Sequence, residues 1–298
     1  YALISYQTAF LKTYFPEHFM AAVLSSELDN TDKINALINE CSRMGIKILK
    51  PNILRSSKFF KVNEDLEIEF GLGAIKGVAD NFIDHVCLER ENLNFKDIWD
   101  FSKKVDIKIG GKRSLESLCQ SGAFDKLAPS RAIALASIKD ILKVNSANSS
   151  NSNLQSINLL ESLQDDIDPF DRYQDIQQLT ESKKLQLEKK SLGYYLSGHP
   201  VLALENKVRI IRSKKIKELN NDIKKATLVC LINNIRQTKD RKGKPLTFIN
   251  FDDGTGIMEG IISSEIWETC HHILKKDELL VLKGIVEIDD YKTNELGS

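Results

Sequence analysis

This 298-residue chain lacks any apolar run long enough to cross a bilayer, and no basic-then-apolar leader opens it. Membrane-spanning and signal-directed classes are therefore not expected. It also lacks charge bias, because 42 basic residues balance 42 acidic ones. Attraction for a polyanion has to come from local patches rather than from the field of the whole chain. Cysteine is scarce and scattered: Cys41, Cys87, Cys119, Cys230 and Cys270 form no C-x-x-C pair. That excludes a zinc ribbon and a disulfide framework, and it suits reduced thiols in a cytoplasmic protein. His271 and His272 follow Cys270 on an expected helix, where neighbouring side chains point about 100° apart. We read them as a helix end, so no metal site is assigned. A hydrophobic content of 42% with 28% charged residues is ordinary for soluble globular protein, and the length suits two or three domains.

What is present is a change of period along the chain. Pro16 suits the first position of a helix, and Phe19, Val23 and Leu24 follow at helical spacing. A second helix is expected from Thr31 or Asp32, with Ile34, Leu37, Ile38, Cys41 and Met44 on one face and Gly45 as its stop. Ile46–Leu49 reads as a short strand, and 58–62 with 67–70 as a hairpin turning at Asn63-Glu64-Asp65. From Gly71 to about Val144 helices broken by glycine turns are expected. Residues 145–153 are almost all Asn and Ser and cannot bury a core, so a flexible linker is expected there. A charged helix is expected from about Tyr173 to Lys190. From Lys224 the period becomes two: strands at 226–235, 246–251, 257–262 and 278–288, with a helix at 264–274 before the last. Three strands, a helix and another strand is the order of an OB-fold barrel, whose fifth strand would start near Lys292. Thr247, Ile249 and Phe251 share one face of the second strand, and Leu246, Phe248 and Asn250 the other. The chain opens inside an expected helix and stops inside an expected β-domain, as an excised piece of a longer protein would.

Two glycine turns carry chemistry. Ala74-Ile75-Lys76-Gly77-Val78-Ala79 separates two amphipathic stretches, and a hairpin there would aim backbone N–H groups and a helix dipole at an anion, with the Lys76 charge beside them. This is how a helix-hairpin-helix motif grips the DNA backbone without reading bases. The second candidate is Leu118–Asp125, centred on Gly122 and Ala123 and preceded by Lys112 and Arg113. Both glycines would equally serve as helix C-caps. In the barrel, Lys239, Arg241, Lys242 and Lys244 crowd the first hairpin loop, and Phe248 could stack on an unpaired base. The plainer readings are a solvated turn and a core aromatic.

Several segments, in order, resemble the alpha subunits of bacterial DNA polymerase III, the family C replicative polymerases. They are Tyr1–Lys12, Tyr14–Ser25, Asp29–Lys33, Arg43-Met44-Gly45, Phe70–Gly77, Ser121–Asp125 and Leu196-Ser197-Gly198-His199-Pro200. The resemblance implies a multidomain α + β layout. Residues 1–70 would be distal fingers, 71–144 a tandem helix-hairpin-helix domain on duplex DNA, 145–172 a linker, 173–222 a connecting helical segment and 223–298 the OB-fold near single-stranded template. Ala79 stands where that family has a second hairpin glycine. The resemblance also implies an internal sliding-clamp (beta subunit) peptide, placed here at Gln155, Ile157, Leu159 and Leu160, with Leu160 where the family has phenylalanine. Other holoenzyme subunits would be partners. Catalysis in that family uses Mg2+ held by palm aspartates, whereas the clustered aspartates here lie in an acidic linker (Asp165-Asp166, Asp168) or at strand ends (Asp252-Asp253, Asp289-Asp290). The piece alone is expected to incorporate no nucleotide and to hold no cofactor. Two alternatives stay open: the anticodon-binding barrel of a tRNA synthetase, and a non-catalytic interaction domain.

Overall fold

Pro16 breaks the first helical stretch in two. Phe15 leaves the helical region (φ −136°, ψ 56°), and helix α1 (Ala2–Tyr14) gives way to α2 (Pro16–Ser26), with Pro16 at the first position, where a missing N–H costs nothing. The computed structural model describes residues 1–150, 169–220, 222–239 and 245–287, with the backbone alone for 146–150. The chain divides into two compact units, Tyr1–Ser197 and Gly198–Ser298.

In the first unit, α3 (Thr31–Arg43) is capped by Asn30, whose side chain accepts from Lys33 N at 3.1 Å. Gly45 follows at φ 75°, as a C-terminal stop requires. The expected strand after it shrinks to one parallel bridge, Ile48 to Ile68. Gly45 and Pro51 leave too little regular backbone between them to pair further. The expected hairpin forms as β1 (Lys61–Val62) and β2 (Ile68–Glu69), antiparallel. Asn63 shapes its turn by accepting from Asp65 N at 3.0 Å and Glu67 N at 2.8 Å.

The glycine-punctuated region contains α4 (Asp80–Asn92), α5 (Ile98–Lys104), α6 (Ile107–Ser121) and α7 (Arg131–Ser150). Phe101 is sealed at the centre of the core, with edge-on ring contacts at 5.1 Å to Phe95 and Phe124. Helix α7 carries on through Asn145–Ser150, where a linker was expected to begin. Beyond the undescribed stretch Phe170 packs on the core, and the Tyr173 hydroxyl donates to Asp140 at 2.9 Å. That hydrogen bond holds the Asp140 carboxyl below its usual range. Helix α8 (Glu181–Leu192) starts later than the expected Tyr173, because Thr180 accepts from Lys183 N at 3.3 Å and fixes the first turn. It packs on α6 and ends at Gly193, φ 93°.

The second unit begins with two short helices, α9 (Pro200–Ala203) and α10 (Glu205–Ile211). An antiparallel sheet follows: β3 (Lys225–Lys239), β4 (Pro245–Asp252), β5 (Ile257–Ile262) and β6 (Leu279–Ile285), in the order β5-β4-β3-β6. Helix α11 (Ser264–Cys270) connects β5 to β6. The sheet curls into a half-barrel of OB-fold type; the expected fifth strand near Lys292 lies outside the described residues. Strand β3 outruns its expected end because it pairs with β6 along its first half and β4 along its second, with a register shift between Ile232 and Asn234. Thr247, Ile249 and Phe251 point inward, as their alternation requires, against Leu228, Cys230 and Ile232. Gly260 leaves room for the Phe251 ring, 2.8 Å from where a Cβ would stand. Among the described residues no helix is long and apolar enough to cross a membrane.

Candidate nucleic-acid interface

The first hairpin forms where expected. A 3₁₀ turn at Leu72–Ala74 leads to Gly77 at φ 83°, and α4 starts at Asp80. Part of its backbone is already engaged. Lys76 N donates to Ser191 O at 2.8 Å, Val78 N to Ile75 O at 3.3 Å and Ala79 N to Ser114 Oγ at 3.2 Å. Among the described residues the N–H groups of Gly77, Asp80 and Asn81 have no such partner. Asp80 sets a carboxylate in this first turn, paired to Lys58 at 2.8 Å, which competes with a phosphate for the positive helix end. Lys76 is exposed, and its ammonium lies over Gly193, 2.8 Å from where a Cβ would stand there.

A second glycine break lies ahead of the turn that the sequence singled out. Helix α6 is two segments joined at Gly111 (φ 64°, ψ −174°), a conformation essentially reserved for glycine. Lys112 and Arg113 occupy the first turn after the break and are exposed. A Cβ on Gly110 would lie 2.6 Å from the Phe82 ring, so its absence lets this turn seat against α4. At Gly111 nothing stands within 4 Å, which leaves that side open. The two hairpins meet: Arg113 Nε lies 2.7 Å from the position of a Cβ on Gly77, and Ser114 Oγ bonds both Ala79 N and, at 3.4 Å, Gly77 O. The cations singled out in the sequence, Lys76, Lys112 and Arg113, thus belong to one paired structure. The overlooked signal was the Gly110-Gly111 doublet directly before two cations.

Gly122 and Ala123 form a helix end. Gly122 (φ 87°) closes α6, with Gly122 N on Cys119 O at 3.1 Å and Ala123 N on Leu118 O at 2.9 Å. These are the two bonds of a Schellman end. Ala123 is buried, and buried Arg131 grips Asp125 at 2.6 and 3.1 Å beside the turn. Both amides are engaged in these two backbone bonds. Val78 is half-buried in the first hairpin and packs on the core.

On the sheet, Phe248 lies on the outer face, half-buried, while Phe251 is core. Lys239 ends β3 and is exposed. Arg241, Lys242 and Lys244 lie outside the described residues, as do Gln155, Ile157, Leu159 and Leu160. Arg236, which the sequence pattern does not single out, stands directly across from Phe248. Among the described residues no group of three His, Cys, Asp or Glu side chains is placed to hold a metal ion.

The Leu196–Pro200 segment is held at both ends by side chains. Buried Glu188 accepts from Leu196 N at 3.0 Å, Ser197 N at 2.8 Å and Ser197 Oγ at 2.5 Å. His199 Nδ1 accepts from Val201 N at 3.3 Å and caps α9, while its Nε2 lies 3.7 Å from Asp252. Each end of the motif is tied into its own unit.

A helix-hairpin-helix motif model matches residues 45–134, which contain both hairpins. Relatives named DNA polymerase III subunit alpha match 98% of this chain. That from Haemophilus influenzae is 37% identical, that from Pseudomonas aeruginosa 35% and that from Escherichia coli O157:H7 34%. The chain spans about a quarter of their length, 26% in each case.

Proposed function

The chain belongs with the DNA polymerase III alpha subunits, about a quarter of whose length it spans, and we propose that it is a DNA-holding and clamp-engaging portion of such a polymerase. The observation that carries this reading is the meeting of two glycine hairpins, Gly77 and Gly110–Gly111, with Lys76, Lys112 and Arg113 around them. Such a pair offers positive helix ends and cations to the sugar-phosphate backbone while ignoring base identity. Each hairpin keeps a carboxylate close by: Asp80 at the first helix start, and Glu116, 3.6 Å from Lys112, at the second, whose flank at Gly111 is open. No step of nucleotide transfer is assigned to these residues; the longer polymerase and its Mg2+ carry that chemistry.

The half-barrel supports contact with single-stranded template through Phe248 and the loop bearing Lys239, Arg241, Lys242 and Lys244. Clamp engagement rests on sequence alone: adjacent apolar side chains at Leu159 and Leu160, with Gln155 and Ile157 before them, suit an apolar pocket on a ring-shaped partner. Changing Leu159 and Leu160 to alanine abolishes co-purification with the sliding clamp on this reading, and retained binding removes the assignment.

The test of the duplex site is salt-dependent binding. Replacing Lys76, Lys112 and Arg113 with alanine weakens duplex affinity and lowers the slope of log K against log salt by about 0.9 for each phosphate no longer neutralised. An unchanged slope points instead to a purely structural interaction domain, and preference for tRNA over primed DNA to the synthetase-type barrel.

A further inference from the structure

The outer face of the sheet carries a row that the sequence did not reveal. Arg236 on β3 pairs with Phe248 on β4, which pairs with Ile261 on β5. Cross-strand neighbours on one face touch, and here the Arg236 guanidinium lies over the Phe248 ring, 5.1 Å from its centroid. Among the described residues Arg236 is in no ion pair with a carboxylate, and it is exposed, as is Ile261 at 64%. Toward the β3–β4 loop, the next row pairs Thr238 with Leu246, and Lys239 follows. In the other direction Asn234, Asn250 and Glu259 form a polar row ending in a carboxylate. The face therefore grades from cationic to acidic, with one apolar-aromatic step between.

The guanidinium covers the Phe248 ring face that it overlies, so a base arriving at Phe248 from that side meets the cation first. The surface it offers is the outer plane of the guanidinium, flat, delocalised and weakly hydrated. Such a plane stacks on bases as an aromatic ring does, and it keeps a positive charge for the adjoining phosphate. The occupant fitting a flat cation beside Lys239 and an apolar patch at Ile261 is an unpaired stretch of DNA with bases splayed onto the sheet. A duplex hides its base faces, and an acidic peptide has no ring to stack.

We propose that Arg236 is the residue on which an unpaired base stacks, with Phe248 holding the guanidinium plane in place from beneath. This rests on the reading of the half-barrel as a single-strand site and names the residue that positions the strand there.

The test uses the full chain, a labelled single-stranded oligonucleotide, and a matched oligomer of abasic sites. Arg236→Lys keeps the charge and loses the plane. It weakens the base-bearing strand about fivefold and leaves the abasic strand and both salt slopes unchanged. Phe248→Leu weakens the same strand, and combining it with Arg236→Lys adds little, because the two act as one platform. Equal weakening on both strands would make Arg236 a phosphate contact only and overturn the proposal. No weakening on either strand, while neutralising Lys239, Arg241, Lys242 and Lys244 still lowers affinity, overturns it and leaves the wider reading intact. No strand binding by the unaltered chain overturns both. Circular dichroism of each variant, unchanged at these exposed or half-buried positions, excludes misfolding as the cause.

Discussion

Gly45, Gly77, Gly111, Gly122 and Gly193 all take positive φ in the first unit, yet they answer to different demands. At Gly45 the demand is conformational only, since nothing stands within 4 Å of a Cβ there. At Gly122 it is also spatial, because a Cβ would fall 2.2 Å from Arg131 Nη2 and 2.9 Å from Asp125 Oδ2. Gly45→Ala then costs about 1–2 kcal/mol, the ordinary penalty of a left-handed residue. Gly122→Ala adds to that the disturbance of a charge-assisted pair in which Arg131 is buried and Asp125 exposed, for a total of about 2–4 kcal/mol. Urea denaturation of the two variants measures the difference, and equal destabilisation would mean that the Arg131–Asp125 pair moves aside freely. The sequence showed that Gly122 ends a helix or opens a hairpin and could not choose between them. In the structure the helix end forms, and Arg131, nine positions along the chain, is buried beside it and bonded to Asp125.

At the scale of elements, what could be read was whatever local chemistry decides. Asn30 and Gly45 bracket α3, Pro16 opens α2, and the alternation of β4 assigned Thr247, Ile249 and Phe251 inward without knowledge of their neighbours. Boundaries failed where a polar residue competes with an equally plausible neighbour. Thr180 rather than Tyr173 starts α8, and α7 runs into an Asn/Ser tract whose composition alone argues for coil. The second glycine break went unread for a similar reason. Ser121-Gly122-Ala123-Phe124-Asp125 is a conspicuous turn, whereas Gly110-Gly111 interrupts a pattern that otherwise reads as one helix. Leu192–Pro200 was opaque because its chemistry lies elsewhere: Glu188 is buried on α8 and binds two amides and a hydroxyl at Leu196 and Ser197. A buried carboxylate with three donors replaces the water it has given up, which explains a charged residue at 1% exposure in an otherwise apolar neighbourhood.

At the scale of the molecule, one polypeptide carries two surfaces with different tastes. On the proposed reading the paired hairpins of the first unit take a duplex backbone, and the outer sheet face of the second takes bases that are not paired. Each site alone is then expected to be weak and salt-sensitive, since the chain has no net charge to concentrate DNA around it. A substrate presenting both forms on one strand makes the second binding event intramolecular, and its affinity then exceeds that of either form alone although each surface touches only what it touched before. The expected outcome is that a primed template with a single-stranded overhang binds at least about tenfold tighter than a blunt duplex or a free single strand of equal length. Shortening the overhang to a few nucleotides returns affinity to the duplex value. Alanine at Lys112 and Arg113 collapses the advantage from one side, and Arg236→Lys with neutralised Lys239 collapses it from the other. Titrations of the three substrates at one salt concentration decide the matter. If the overhang confers no gain at any length, the two surfaces do not serve one DNA molecule, and the joint DNA-holding role falls even where each site binds by itself.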